Sequence, residues 1–378
     1  MQKILSLPVA HHRLKYLDSL RGLAAFAVFS CHSIAVLFDT GLIGKIGVTP
    51  LGILFNGNAA VMFFFVLSGF VLSLPYVNPD APLNLSSFYI KRIFRIYPAF
   101  IFAIIFSVVL KAFIYDKNAM TGSAIWFKAY WAWDWNAANV KDLLKTFLLI
   151  GPDFNQHLIN PPIWSLVIEM QMSVILPFFI KIVSRNGAAL NIVFLFIIIA
   201  LTYRYSHWAL GVFYLGILMA KYKDWLTANL KQWQATQVIL LAIVGIALYN
   251  IVFEFLKTYL QLNQDQRILA NYLIAAGSCM LILIVMANNA MHKFLDHQIF
   301  TFLGKISYGF YLLHLPVLIT IASLFTHRFS YNAACIVVTS LVATMAVAYL
   351  VHVSIEKPLH TLAAKIGAKL KRIKFLDI

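Results

Sequence analysis

Two residues in the run LDSLRGLAAFAVFSCHS have types and spacing that could do chemistry: Arg21 and His32, eleven residues apart. On a helix that is close to three turns, so both side chains share a face about 16 Å apart along the axis. An imidazole is suited to moving a proton near neutral pH, which makes His32 a candidate general base. The alternative is a structural histidine hydrogen-bonded between helices. Asp18 precedes Arg21 by three residues and can pair with it. In IWSLVIEMQMSVILP, Ser165, Glu169 and Ser173 recur every four residues and form one polar stripe. If each helix starts at the surface, Glu169 and His32 lie at the same depth, about 10 Å from one face. A carboxylate there could orient His32 and stabilise its protonated form; otherwise Glu169 answers donors on another helix.

Two further groups complete the set. Lys91, Arg92 and Arg95 in FYIKRIFRIYP form a basic cluster, with the two arginines one turn apart. Guanidinium groups grip phosphate through a planar fork, although the same cluster also suits plain anchoring at a charged interface. In ISYGFYLLHLP, Ser307, Tyr311 and His314 share a helical face, with Tyr308 beside them. This reads either as a hydrogen-bonded structural cluster or as part of a site.

The elements that must position these residues are set by composition. Of 378 residues, 61% are apolar and only 12% charged, with mean hydropathy +0.81. Such a chain is neither a soluble globular enzyme nor a disordered protein, and its solvent must be largely lipid. The excess of 30 Lys+Arg over 14 Asp+Glu points to cations facing anionic lipid rather than to nucleic acid. Cys31, Cys279 and Cys335 all sit in apolar runs without paired spacing, so neither a disulfide framework nor a metal site is expected.

Apolar runs long enough to span a bilayer fall at about 17–39, 53–75, 93–115, 163–183, 188–203, 207–222, 235–256, 268–288, 302–325 and 333–355. The expected fold is therefore an all-α polytopic membrane bundle of about ten transmembrane helices. Segments on the side of the termini carry about twice the Lys and Arg of the opposite side, which places both termini in the cytoplasm. No cleavable signal peptide is expected ahead of the first span. The stretch 116–162 is too short for a second domain, and its Trp126, Trp131, Trp133 and Trp135 suit the outer interface. The tail, about 360–378, reads as a basic amphipathic helix resting on the inner leaflet. Ser68–Gly69 suits close helix packing. His11–His12 has no partner at metal-ligand spacing.

Taken in order, LDSLRG with the Arg21–His32 spacing, FFFVLSGF, FYIKRIFRIYP, WSLVIE, ISYGFYLLHLP and IEKP at Ile355–Pro358 resemble the acyltransferase-3 family of membrane O-acyltransferases. The resemblance covers about residues 14–360. It implies one integral membrane acyltransferase domain over 1–378, with no appended soluble domain, in a bacterial inner membrane. It implies transfer of an acyl group, usually acetyl, from cytoplasmic acyl-CoA to a hydroxyl of a cell-envelope glycan such as lipopolysaccharide, without a metal. His32 would take the acceptor proton, Glu169 would orient it, and Arg21 would brace the site. Lys91, Arg92 and Arg95, with Tyr308 and His314, would hold the donor. Oligomeric state is not legible. A different class remains open: a proton-coupled transporter or flippase using the buried His and Glu residues as a relay.

Overall fold

The structure, a computed structural model, describes residues 14–37, 45–115, 149, 159–203, 207–251, 264–328 and 332–372. Among these residues there are helices and no β-strand. In chain order the helices are α1 (Lys15–Leu37), α2 (Gly57–Ser73), α3 (Leu85–Phe113), α4 (Ile163–Arg185), α5 (Ala188–Tyr203), α6 (Ala209–Leu230), α7 (Ala235–Ile246), α8 (Gln264–Ala287), α9 (Asn289–Leu295), α10 (Gln298–Arg328), α11 (Ala333–Val351) and α12 (Lys357–Arg372). Several begin at an asparagine whose side chain accepts a backbone N–H that would otherwise be orphaned. Asn56 caps α2, Asn84 caps α3 and Asn332 caps α11.

Each expected span overlaps one of these helices. Six stretches among the described residues are long and apolar enough to cross a membrane: Gly57–Tyr76, Leu85–Phe113, Ile163–Arg185, Asp265–Ala287, Gln298–Phe325 and Ala333–Leu370. Ala188–Thr202 and Ala235–Ile251 are apolar but shorter. α1 and α6 are 23 and 22 residues long, but charged residues such as Arg21 and Lys223 dilute them. The chain is thus a multi-pass membrane protein. The Trp-rich stretch 116–148 and 150–158, His11–His12 and residues 373–378 lie outside the described residues.

Large apolar side chains face outward, as a hydrocarbon solvent requires. Phe113 is 83% exposed and Phe196 65%. The inside is packed around α1 and α10, and their approach is set by two glycines. A Cβ on Gly22 would lie 2.6 Å from the Gly304 nitrogen, and one on Gly304 would lie 2.5 Å from the Asp18 carbonyl oxygen. Backbones this close need residues without side chains. Ten residues after each glycine stand His32 and His314, which touch. The two helices therefore run parallel, and the glycine crossing delivers one histidine to the other.

α4 departs from the expected course. Its N-terminus sits in the middle of the bundle, not at its surface. Asn160 donates from Nδ2 to the Leu312 carbonyl at 2.8 Å, and the Pro162 carbonyl accepts from Tyr311 Oη at 3.2 Å. Leu312 is halfway along α10. Its carbonyl is available because the helical donor four residues on is Pro316, which has no N–H. Pro161 and Pro162 likewise remove two N–H groups that would be orphans at the start of α4. Ile163 N–H is satisfied by the Asn160 carbonyl.

The tail also differs from the expected leaflet-bound helix. Ala333–Leu370 is one continuous helix, with a π-helical segment at His352–Glu356 between α11 and α12. Ala363 and Gly367 are buried, and Gly367 packs against Ser87 and Lys91 of α3. Ala363 and Gly367 of α12 are met by protein, and the glycine at 367 lets α3 approach.

Gly304→Val should force α1 from α10 and destabilise the protein by about 1–3 kcal/mol, as overpacking does. Gly309→Ala on the same helix is the control, since its Cβ would meet nothing nearer than 3.5 Å. Thermal unfolding in lipid nanodiscs should separate the two variants, and equal melting temperatures would contradict the close crossing.

Candidate active site

A cavity of about 870 Å³ opens between α1, α2, α3, α4, α10 and α12. On α2 its lining runs from Leu72 to Val61, eleven residues, or about 16 Å of helical rise. One end is cationic. Arg21, Lys91, Arg92, Arg95, Lys223 and His360 all reach its wall. The other end is closed by Val61, Phe64, Leu166, Ser165 and Tyr311.

The cations are not equivalent. Arg92 is buried, donating from Nη2 to Glu169 Oε1 at 2.6 Å and from Nε to Ser173 Oγ at 3.0 Å. Two edges of its fork are thus taken by the α4 stripe. Arg21 donates to Asp18 Oδ1 at 3.2 Å. Arg95 lies over the Tyr308 ring at 5.3 Å, and its Nη1 is 3.2 Å from His360 Nε2. A guanidinium only donates, so His360 accepts there. Tyr308 Oη donates to the Ile96 carbonyl at 2.7 Å, fixing the ring under Arg95.

The stripe at Ser165, Glu169 and Ser173 is used in full. Ser165 Oγ is 2.8 Å from Tyr311 Oη, while Glu169 and Ser173 hold Arg92. Glu169 is not placed on His32: among the described residues its carboxylate is on Arg92, and His32 Nδ1 is 2.8 Å from His314 Nε2. The reason is the start of α4. Because that helix begins at mid-bundle, six residues of rise carry Glu169 back to the level of Arg92 rather than to the level of His32.

The histidines stand just beyond the closed end of the cavity. Tyr311 is the link: its side chain lines the cavity, and its carbonyl is 2.6 Å from His314 Nδ1. The His32 and His314 rings stack with centroids 5.0 Å apart and planes 25° from parallel. His314 is fully buried. The cavity thus collects Arg21, Lys91, Arg92, Arg95, Glu169 and Tyr308, and the remaining two expected residues, His32 and His314, pair with each other beyond it. Lys223 and His360 were not legible as site residues; both are ordinary polar residues on segments without a marked motif. Glu356 of IEKP is buried, with Oε2 on His352 Nδ1 at 2.9 Å.

Residues 14–353 match the model of the acyltransferase-3 family, described as an acyltransferase domain. The chain belongs to that family. Over 178 residues it is 31% identical to YrhL of Bacillus subtilis, named as a candidate peptidoglycan O-acetyltransferase, covering 46% of this chain and 24% of the relative. It is 28% identical over 177 residues to the acyltransferase MdmB of Streptomyces mycarofaciens, covering 46% and 41%. It is 24% identical over 344 residues to the O-acetyltransferase OatA of Staphylococcus aureus, covering 82% and 52%. The chain thus spans about a quarter to a half of the length of these curated relatives. No solved structure matches it.

Removing either partner of the Arg92–Glu169 pair should leave an uncompensated charge inside the bundle. Arg92→Ala and Glu169→Ala should each destabilise by about 3–5 kcal/mol, and the double variant should lose less than the sum. A thermal double-mutant cycle tests this; additive losses would mean the two groups are not coupled.

Proposed function

We propose that the protein transfers an acyl group, acetyl in the first instance, from cytoplasmic acyl-CoA to a hydroxyl of a cell-envelope glycan. The observation that carries this reading is the cavity that runs from a cationic mouth to Tyr311, with the paired histidines just beyond its closed end. Arg95, Lys91, Lys223 and Arg21 offer the positive charge that a phosphate-bearing donor needs. Arg92, braced by Glu169, shapes the same wall. The apolar length from Leu72 to Val61 suits a slender pantetheine arm, which would bring the thioester toward Tyr311.

In this mechanism His32 removes the proton from the acceptor hydroxyl as its oxygen bonds to the thioester carbonyl carbon. The carbon–sulfur bond breaks, and the thiolate recovers the proton. The acceptor would arrive from the side opposite the donor mouth. That orientation puts both termini in the cytoplasm, as the cation distribution suggests, and the family resemblance points to a bacterial inner membrane. The names of OatA and YrhL support O-acetyl transfer. Lipopolysaccharide, another polysaccharide and peptidoglycan are the acceptors to compare.

The test uses protein in nanodiscs with radiolabelled acetyl-CoA and each glycan in turn. Wild type should bind acetyl-CoA and release CoA only with an acceptor. His32→Ala should lose transfer, on the order of 10²–10⁴-fold for a missing general base, and keep donor binding. Arg95→Ala should weaken donor binding by about tenfold or more, the loss of one charge-assisted contact. Absence of CoA binding, with solute movement independent of CoA, would favour a proton-coupled transporter instead.

A further inference from the structure

We infer that Phe64 limits the length of the acyl chain on the donor: its ring is the floor that admits acetyl and turns away butyryl and longer chains. The inference rests on the acyl-transfer reading and names the donor class within it.

The floor has two sides, and they are held differently. Tyr311 forms one. Its Oη is 2.8 Å from Ser165 Oγ and donates to the Pro162 carbonyl at 3.2 Å. Its own carbonyl is 2.6 Å from His314 Nδ1. Both ends of this residue are tied, and Ser165 is itself placed by the start of α4. Tyr311 therefore does not yield to a longer ligand. Phe64 forms the other side. Its ring meets the Tyr311 ring edge to face, with centroids 5.7 Å apart. What stands between a growing acyl chain and deeper space is thus one phenyl ring braced on a fixed phenol.

The packing of α2 turns Phe64 toward the cavity. Gly69 on α2 and Gly216 on α6 bring those two helices into backbone contact: a Cβ on Gly216 would lie 2.7 Å from the Phe70 nitrogen. Phe64 stands five residues before Gly69, about 140° around the helix, and so faces away from α6. From Val61 to Phe70, only Phe64 and Ser68 are not buried, and both line the cavity. The open surface of Phe64 is therefore cavity surface.

Helix geometry then gives the depth. α2 runs from the closed end toward the mouth, and helical side chains lean toward the N-terminus. The Phe64 ring accordingly leans over Val61, the deepest lining residue on α2. Alanine at 64 would lower the floor toward Val61, three residues back, by up to about 4.5 Å. An extended carbon chain advances roughly 1.3 Å per bond. The opened depth takes the two added methylenes of butyryl and is too shallow for the six of octanoyl.

The experiment measures kcat/KM for acetyl-, butyryl- and octanoyl-CoA in nanodiscs, with lipopolysaccharide and peptidoglycan fragments as acceptors. Wild type should prefer acetyl over butyryl by about 10²-fold or more, since each misfitting methylene costs about tenfold or more. Phe64→Ala should bring the two donors within about tenfold of each other and still reject octanoyl. Phe64→Leu should fall between. Leu72→Ala, eight residues nearer the mouth on the same helix, should keep the wild-type ratio. A ratio taken within one preparation does not depend on the fraction that is folded, so a merely destabilised variant does not imitate the result. Displacement of radiolabelled acetyl-CoA by unlabelled butyryl-CoA needs no acceptor and should follow the same order. The inference is overturned if wild type uses butyryl as well as acetyl, if Phe64→Leu and Phe64→Ala keep the wild-type ratio, or if Leu72→Ala shifts it equally. Should Phe64→Ala fail to fold, an unchanged ratio in Phe64→Leu overturns it alone. Failure of the parent reading looks different: wild type would then bind and transfer from none of the three donors.

Discussion

The distance between α1 and α10 at Gly22 and Gly304 is the constraint on which the site depends. Two backbones in direct contact leave no room for adjustment, so side chains further along each helix are placed by rise and rotation alone. At ten residues the result is a hydrogen bond between two imidazoles. A single methyl at either glycine would propagate to that bond. The packing and the chemistry are the same geometric fact seen at two heights in the bundle.

A second constraint comes from the solvent. In hydrocarbon every peptide group needs a partner within the protein, yet α4 begins halfway through the bundle. Three substitutions of ordinary helix chemistry make that possible. Pro316 withholds a donor from Leu312, Asn160 supplies one in its place, and Pro161–Pro162 removes donors that would have had nothing to bond. The start of one helix is thereby fitted to the break in another. This interlock sets the depth of Ser165, Glu169 and Ser173, and so decides that the carboxylate serves an arginine.

Much of this was readable from residues alone. The apolar runs located the helices because lipid enforces a long, nearly charge-free stretch for each crossing. The ionisable residues inside them marked the site because each carries a desolvation cost. What periodicity could not supply was depth. Counting rise from the end of an apolar run assumes that the run starts at the interface, and for α4 it does not. The pairing of His32 with Glu169 failed for that reason, while the matched pair His32 and His314 lay at equal distances from two glycines whose contact is invisible in one dimension. The role of α12 was hidden similarly. Its amphipathic pattern is the same whether the apolar face meets lipid or α3, and only the burial of Ala363 and Gly367 distinguishes the two.

The coupling of His32 to His314 and a carbonyl, rather than to a carboxylate, gives the resting centre no net charge. A fixed charge near the middle of a bilayer feels the transmembrane field, at about 2.3 kcal/mol per elementary charge for a full crossing at 100 mV. Two neutral rings and a peptide dipole feel almost none of it. A proton taken from a hydroxyl and returned to a sulfur at the same depth moves no net charge across the membrane. In the proposed transfer, the step at this centre is therefore electrically silent, and its rate is insulated from the energised state of the membrane.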